Sequence, residues 1–125
     1  MRLVADLHTH TVSSGHAYST VNDNLKAASA KGLEMLAITD HGPALPGGPD
    51  KSYFGYLRIL PLEQYGVEIL VGIEANILDF DGRLDLPDDY LERLDIVLAG
   101  FHPPVYESGS TADNTRAVVE TMKNP

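Results

Sequence analysis

Short apolar runs alternate with helical stretches four times along this chain, and that alternation restricts its fold more than any other feature. The runs occupy residues 3–7, 34–39, 67–73 and 95–100. Each is short and strand-like. The third is nearly all apolar, as expected where both faces of a sheet are covered or a barrel closes. Helices are expected at 21–31, at 52 to about 65, from Pro87 through Leu94, and at 111 to about 123. Thr20 can N-cap the first, with Asp23 three residues on as a short-armed capping box, and Gly32 ends it. Val21, Leu25 and Ala28 share its apolar face. Pro61 bends or ends the second helix, and Pro87 opens the third. Asp81-Gly82 between alternating apolar residues predicts a β-hairpin over about 76–86. Four β/α units in succession mean an α/β fold with a parallel sheet and right-handed crossovers.

At 125 residues the chain is read as one domain, 1–125. With 43% hydrophobic and 22% charged residues it has the composition of a soluble globular protein. No apolar run reaches the roughly 18 residues of a membrane span. The N-terminal apolar stretch stops at Asp6 and His8, so it is not read as a signal peptide. The chain has no cysteine, which excludes disulfides and thiolate-bound zinc and fits the cytoplasm. The net charge of −9 counts against nucleic-acid binding through a broad basic face. Most of that charge reads as a solvated acidic surface. The remainder can be local and offset by bound cations.

In open α/β sheets and β/α barrels, chemistry sits at the carboxyl ends of the strands. The first run leads into His8 and His10, the second into His41, the third into Glu74 and the fourth into His102. His16 lies in the loop after the first run. These are all five histidines of the chain. His8 and His10, two apart on an extended segment, project to one side with Thr9 turned away. Asp40 can orient the His41 imidazole. Glu74 follows an apolar run and needs a partner. Ordinary alternatives exist for each: a solvated pair for His8 and His10, an Asp-His turn for His41, an ion pair to Arg58 or Arg83 for Glu74, a packed ring for His102. Jointly the set reads as a site for divalent ions, with Zn preferred and Mn or Fe as alternatives. There is no phosphate-cradling glycine loop. Ser13-Ser14-Gly15 lacks the pattern of a nucleophile elbow. The expected nucleophile is therefore a metal-bound hydroxide, drawn from water between two or three ions.

The segments Asp6-Leu7-His8-Thr9-His10-Thr11, Ser14 to Ser19, Ile38-Thr39-Asp40-His41-Gly42-Pro43, Gly72-Ile73-Glu74-Ala75-Asn76 and Ala99-Gly100-Phe101-His102 resemble the PHP (polymerase and histidinol phosphatase) superfamily of metal-dependent phosphoesterases. The resemblance is greatest to its YcdX-like branch. It implies a distorted TIM-like barrel of seven β/α units with three metals. His8, His10 and Glu74 would hold the first. Glu74 would bridge to a second, with His102, and His16 and His41 would hold the third. Glu74, Asp40 and Arg58 are the implied catalytic residues, Arg58 as a phosphate contact. Members of that branch are about twice as long, and their later ligands have no counterpart here. The chain is accordingly expected to be an N-terminal half, with an unpaired edge on its fourth strand. The expected activity is hydrolysis of a small phosphomonoester. A phosphodiesterase or nuclease, or a non-catalytic metal-binding or assembly module, are the alternatives. Association into a homo-oligomer is expected if the chain is complete.

Overall fold

The computed structural model describes residues 2–124. The strands are β1 Ala5–Asp6, β2 Met35–Ile38, β3 Glu63–Gln64, β4 Val67–Asn76 and β5 Ile96–Gly100. The helices are α1 Val21–Ala30, α2 Ser52–Leu57, α3 Asp88–Leu91 and α4 Thr111–Thr121, with a 3-10 turn at Val12–Ser14. Strands β1, β2, β4 and β5 run parallel in that spatial order and curl into a half-barrel, while β3 pairs antiparallel with the start of β4. No described helix is long and apolar enough to cross a membrane.

Strand β4 is the spine. Its apolar side chains Val67, Ile69, Val71, Ile73 and Ala75 are buried, as its sequence predicts for a covered strand. Leu25 and Ala28 of α1, Leu36 and Ile38 of β2, and Phe54 and Leu57 of α2 pack with them in one cluster. The capping box of α1 forms as expected. Thr20 Oγ1 accepts from the Asp23 N–H at 3.2 Å, and the Asp23 carboxylate accepts from the Thr20 N–H at 3.0 Å.

Three elements differ from expectation. The third helix ends at Leu91, short of Leu94. The second helix ends at Leu57, well before residue 65. The chain then passes Pro61, forms β3 and turns tightly at Tyr65 and Gly66, with φ of 58° and 74°. Two consecutive left-handed residues make the short turn whose twist suits a hairpin. Tyr65 is held in that conformation from α1: its carbonyl accepts from Ser29 Oγ at 2.8 Å and its hydroxyl donates to Asn22 at 2.6 Å. Between residues 76 and 86, a single antiparallel bridge joins Ile77 to Leu84 in place of two paired strands. The ladder goes no further because the Asn76 N–H donates to the Asp85 carboxylate at 2.8 Å, so no cross-strand carbonyl receives it.

Two features at the ends of the strands position the site. Strand β4 extends past Ile73, so Glu74 lies inside it, paired with Leu98 on one side. On the other side its backbone brackets His41: the Glu74 N–H donates to the Asp40 carbonyl at 3.0 Å, and the Gly42 N–H to the Glu74 carbonyl at 2.9 Å.

Candidate metal centre

Thr9 anchors the first histidine pair. Its hydroxyl donates to the Ala37 carbonyl at 2.5 Å, and its N–H donates to Thr39 Oγ1 at 3.0 Å. With Thr9 committed to β2, His8 and His10 turn to the other side and their Nε2 atoms lie 3.2 Å apart. Glu74 reaches the same point. Its Oε2 lies 3.1 Å from His8 Nε2, 3.2 Å from His10 Nε2 and 3.1 Å from His41 Nδ1, and its Oε1 lies 3.4 Å from His102 Nε2. His16 stacks beside His10 and His41, at ring-centre distances of 5.2 and 4.9 Å. The structure thus brings together all five histidines and Glu74. Neither arginine weighed as a partner for Glu74 reaches it: Arg83 pairs with Asp79 at 3.0 Å.

Donor atoms fall into three groups, each within 4.8 Å: His8, His10 and Glu74; His10, His16 and His41; and His41, Glu74 and His102. This donor set fits divalent cations. Nitrogen and carboxylate oxygen are borderline ligands, and no Lys or Arg among the described residues supplies the missing positive charge. His102 Nδ1 is buried with no hydrogen-bond partner, and His41 Nδ1, although 3.1 Å from Glu74 Oε2, is buried without being hydrogen-bonded to it, an arrangement that costs free energy unless something else engages these atoms. Burial holds the His10 and His41 imidazoles below their usual pKa despite the nearby Glu74 carboxylate, His41 at about 4. Burial opposes ionisation of Glu74, but the His8 hydrogen bond and the surrounding imidazoles outweigh it and hold its carboxyl below the usual range. Both effects leave ligands deprotonated near neutral pH. Gly100 lies beneath this cluster. A Cβ there would come within 3.3 Å of the His102 ring and 3.4 Å of Glu74 Oε1.

Asp40 does not orient His41 by direct contact with its ring. Its carboxylate is fully buried and accepts from the Thr11 N–H at 2.6 Å, Thr11 Oγ1 at 2.8 Å, Ser14 Oγ at 2.6 Å and the Tyr53 hydroxyl at 2.5 Å. Burial, reinforced by the bond to Asp40, pushes the Tyr53 phenol up to about 12, so it remains a donor. Ser14 links this network to the histidines, with its hydroxyl 3.0 Å from His10 Nδ1. A second clamp lies after His41, where the Asp85 carboxylate accepts from the Ala44 N–H at 2.9 Å as well as from Asn76. A Cβ on Gly42 would overlap that carboxylate. Arg58 is exposed at the C-terminal cap of α2, and its side chain makes no hydrogen bond or ion pair among the described residues. Thr11, Ser14, Tyr53 and Asp85 escape the sequence reading. The signals for Ser14 are its place between His10 and His16 and at the head of the segment Ser14 to Ser19, and neither assigns it a role.

Residues 6–121 match the PHP domain family. Over its whole length the chain is 55% identical to a protein of Acetivibrio thermocellus named a probable phosphatase, covering 52% of that relative. It is 51% identical to a probable phosphatase of Caldanaerobacter subterraneus subsp. tengcongensis and 46% to one of Clostridium botulinum, covering 50% and 51% of them. The chain therefore spans about half the length of the curated relatives it matches.

Proposed function

The chain belongs to the PHP domain family, and from that membership we propose that it carries most of the metal centre of a phosphoesterase that hydrolyses a small phosphomonoester. The observation that supports this reading is the convergence of five imidazoles on one carboxylate where the parallel strands end. In this reading His8, His10 and Glu74 hold one ion, Glu74 and His102 a second, and His16 and His41 a third. Zinc is the preferred ion, with manganese or iron as alternatives. Bound divalent ions supply Lewis acidity toward a phosphoryl oxygen and activation of water near neutral pH.

The chain's own groups do the rest. Glu74 places its two oxygens toward different histidines and so spans neighbouring positions. His8, about half exposed, forms the open rim at which a phosphate would arrive. Arg58 has no competing ion pair among the described residues and is the proposed contact for that phosphate. The half-barrel supplies four β/α units of a seven-unit barrel, and further units would pair with the outer edges of β1 and β5, each of which has one neighbour among the described residues.

Metal content combined with turnover of p-nitrophenyl phosphate tests this, using this chain and, beside it, one of the longer relatives it matches. His10→Ala is expected to remove both bound metal and turnover. Stoichiometric metal without turnover on any phosphoester would instead make the domain a binding or assembly module. Turnover confined to phosphodiesters would make it a diesterase.

A further inference from the structure

The Ser14 hydroxyl, 2% exposed, has three polar neighbours: an Asp40 oxygen at 2.6 Å, His10 Nδ1 at 3.0 Å and the His41 backbone N–H at 3.1 Å. A hydroxyl has one hydrogen and two lone pairs. The His41 amide can only donate. The Asp40 carboxylate can only accept, and it already gathers three other donors. The serine hydrogen must then point at Asp40, since otherwise two oxygens would face each other lone pair to lone pair, buried, at 2.6 Å. One lone pair of Ser14 takes the His41 amide. The other faces His10 Nδ1, which must carry the hydrogen.

We propose that Asp40 and Ser14 form a buried relay that locks His10 in its Nδ1–H tautomer and so presents Nε2 as a bare lone pair toward a cation. That nitrogen lies 3.2 Å from Glu74 Oε2 and 3.2 Å from His8 Nε2, so in the metal-free chain the His8 Nε2 hydrogen stands between these two acceptors, in the place a cation would take. Ser14 acts on His16 as well: its carbonyl, which only accepts, lies 3.1 Å from His16 Nδ1, leaving Nε2 of that ring unprotonated too. One residue therefore sets the protonation pattern of two imidazoles and fixes the backbone of a third. The Thr11 amide shares the Ser14-bound oxygen of the carboxylate, and the Thr11 and Tyr53 hydroxyls hold its other oxygen. Asp40 and Ser14 are positioning residues: Ser14 touches His10 and His16, Asp40 acts through Ser14, and together they shape which nitrogen is offered. The importance of the relay for catalysis rests on the metal-dependent reading above, but the tautomers do not.

Long-range proton–nitrogen correlation spectra of the metal-free, nitrogen-15-labelled chain read both tautomers directly. The expected result is a hydrogen on Nδ1 of neutral His10 and of His16. A hydrogen on Nε2 of His10 overturns the relay, whatever happens to any variant. In Ser14→Ala, His10 is expected to become a mixture of tautomers while His16 keeps Nδ1–H, because its acceptor is backbone; the unchanged His16 signal reports an intact fold. Zinc affinity of that variant, by competition with a chelator, is expected to fall by about 10–100-fold. A Ser14→Ala chain with wild-type tautomers and wild-type zinc affinity also overturns the proposal. Absence of phosphoester turnover alongside the expected tautomers would sink the phosphoesterase reading and leave the relay standing.

Discussion

Glu74 does more for this site than any single histidine, because four imidazoles meet on its two oxygens. Glu74→Gln keeps the shape and removes the charge, so it is expected to weaken zinc binding by at least about tenfold in a chelator competition, as losing one ligand of a divalent ion should. Gly100→Ala acts by crowding. It is expected to lower zinc affinity while leaving the far-ultraviolet dichroism unchanged, since the added methyl meets His102 and Glu74 and the glycine needs no unusual backbone angle. Acid is the third probe. His10 and His41 have folded pKa values below the usual 6.5, so the unfolded chain takes up protons first as pH falls. The stability of the metal-free chain is therefore expected to drop between about pH 6.5 and 4, and Glu74, with its lowered carboxyl, adds to the loss below that. Urea midpoints at pH 7 and pH 5 check this, and an equal or higher midpoint at pH 5 would refute it. The six converging residues were readable because imidazole and carboxylate at successive strand exits have few other uses. Ser14 and Tyr53 were not, because their partner Asp40 lies 26 and 13 residues away and hydroxyls are common in loops.

Individual elements divide the same way. Helix α1 was legible to its caps because the capping box is local, complete within four residues. Its stabilisation comes instead from Leu25, fully buried against the sheet. Leu25→Ala is expected to cost about 2–5 kcal/mol in chemical unfolding, and a loss below 1 kcal/mol would mean that α1 does not depend on that contact. The hairpin at β3 could not be read locally. Tyr65 is a poor residue for a left-handed turn by itself, and what holds it there comes from Asn22 and Ser29 on α1. The Asp-Gly signal near residue 82 did mark a turn, with Gly82 at φ 77°. It could not show that Asp85 would spend its carboxylate on the loop after His41 and cut the ladder short.

Among the described residues the sheet carries the histidine cluster at one end, and its outer strands β1 and β5 each have one neighbour. Val97 on β5 and Val118 and Met122 on α4 remain exposed, beside a cavity of about 350 Å³. Leu3, Val4 and Leu7 are exposed around β1 at the other edge. The parallel alternation was legible from the repeated apolar runs. The spatial order was also within reach, because right-handed crossovers place successive strands side by side. The convergence of six side chains at one point follows from that order, with Thr9 and the backbone of β4 setting the final distances. Anomalous diffraction at the zinc absorption edge, from crystals of this chain soaked in zinc, tests that convergence most directly. Peaks are expected among His8, His10, Glu74, His41, His16 and His102, with nitrogen ligands at about 2.0–2.1 Å. Zinc found elsewhere on the protein, with these six side chains bare of density, would mean that the cluster is not a metal centre.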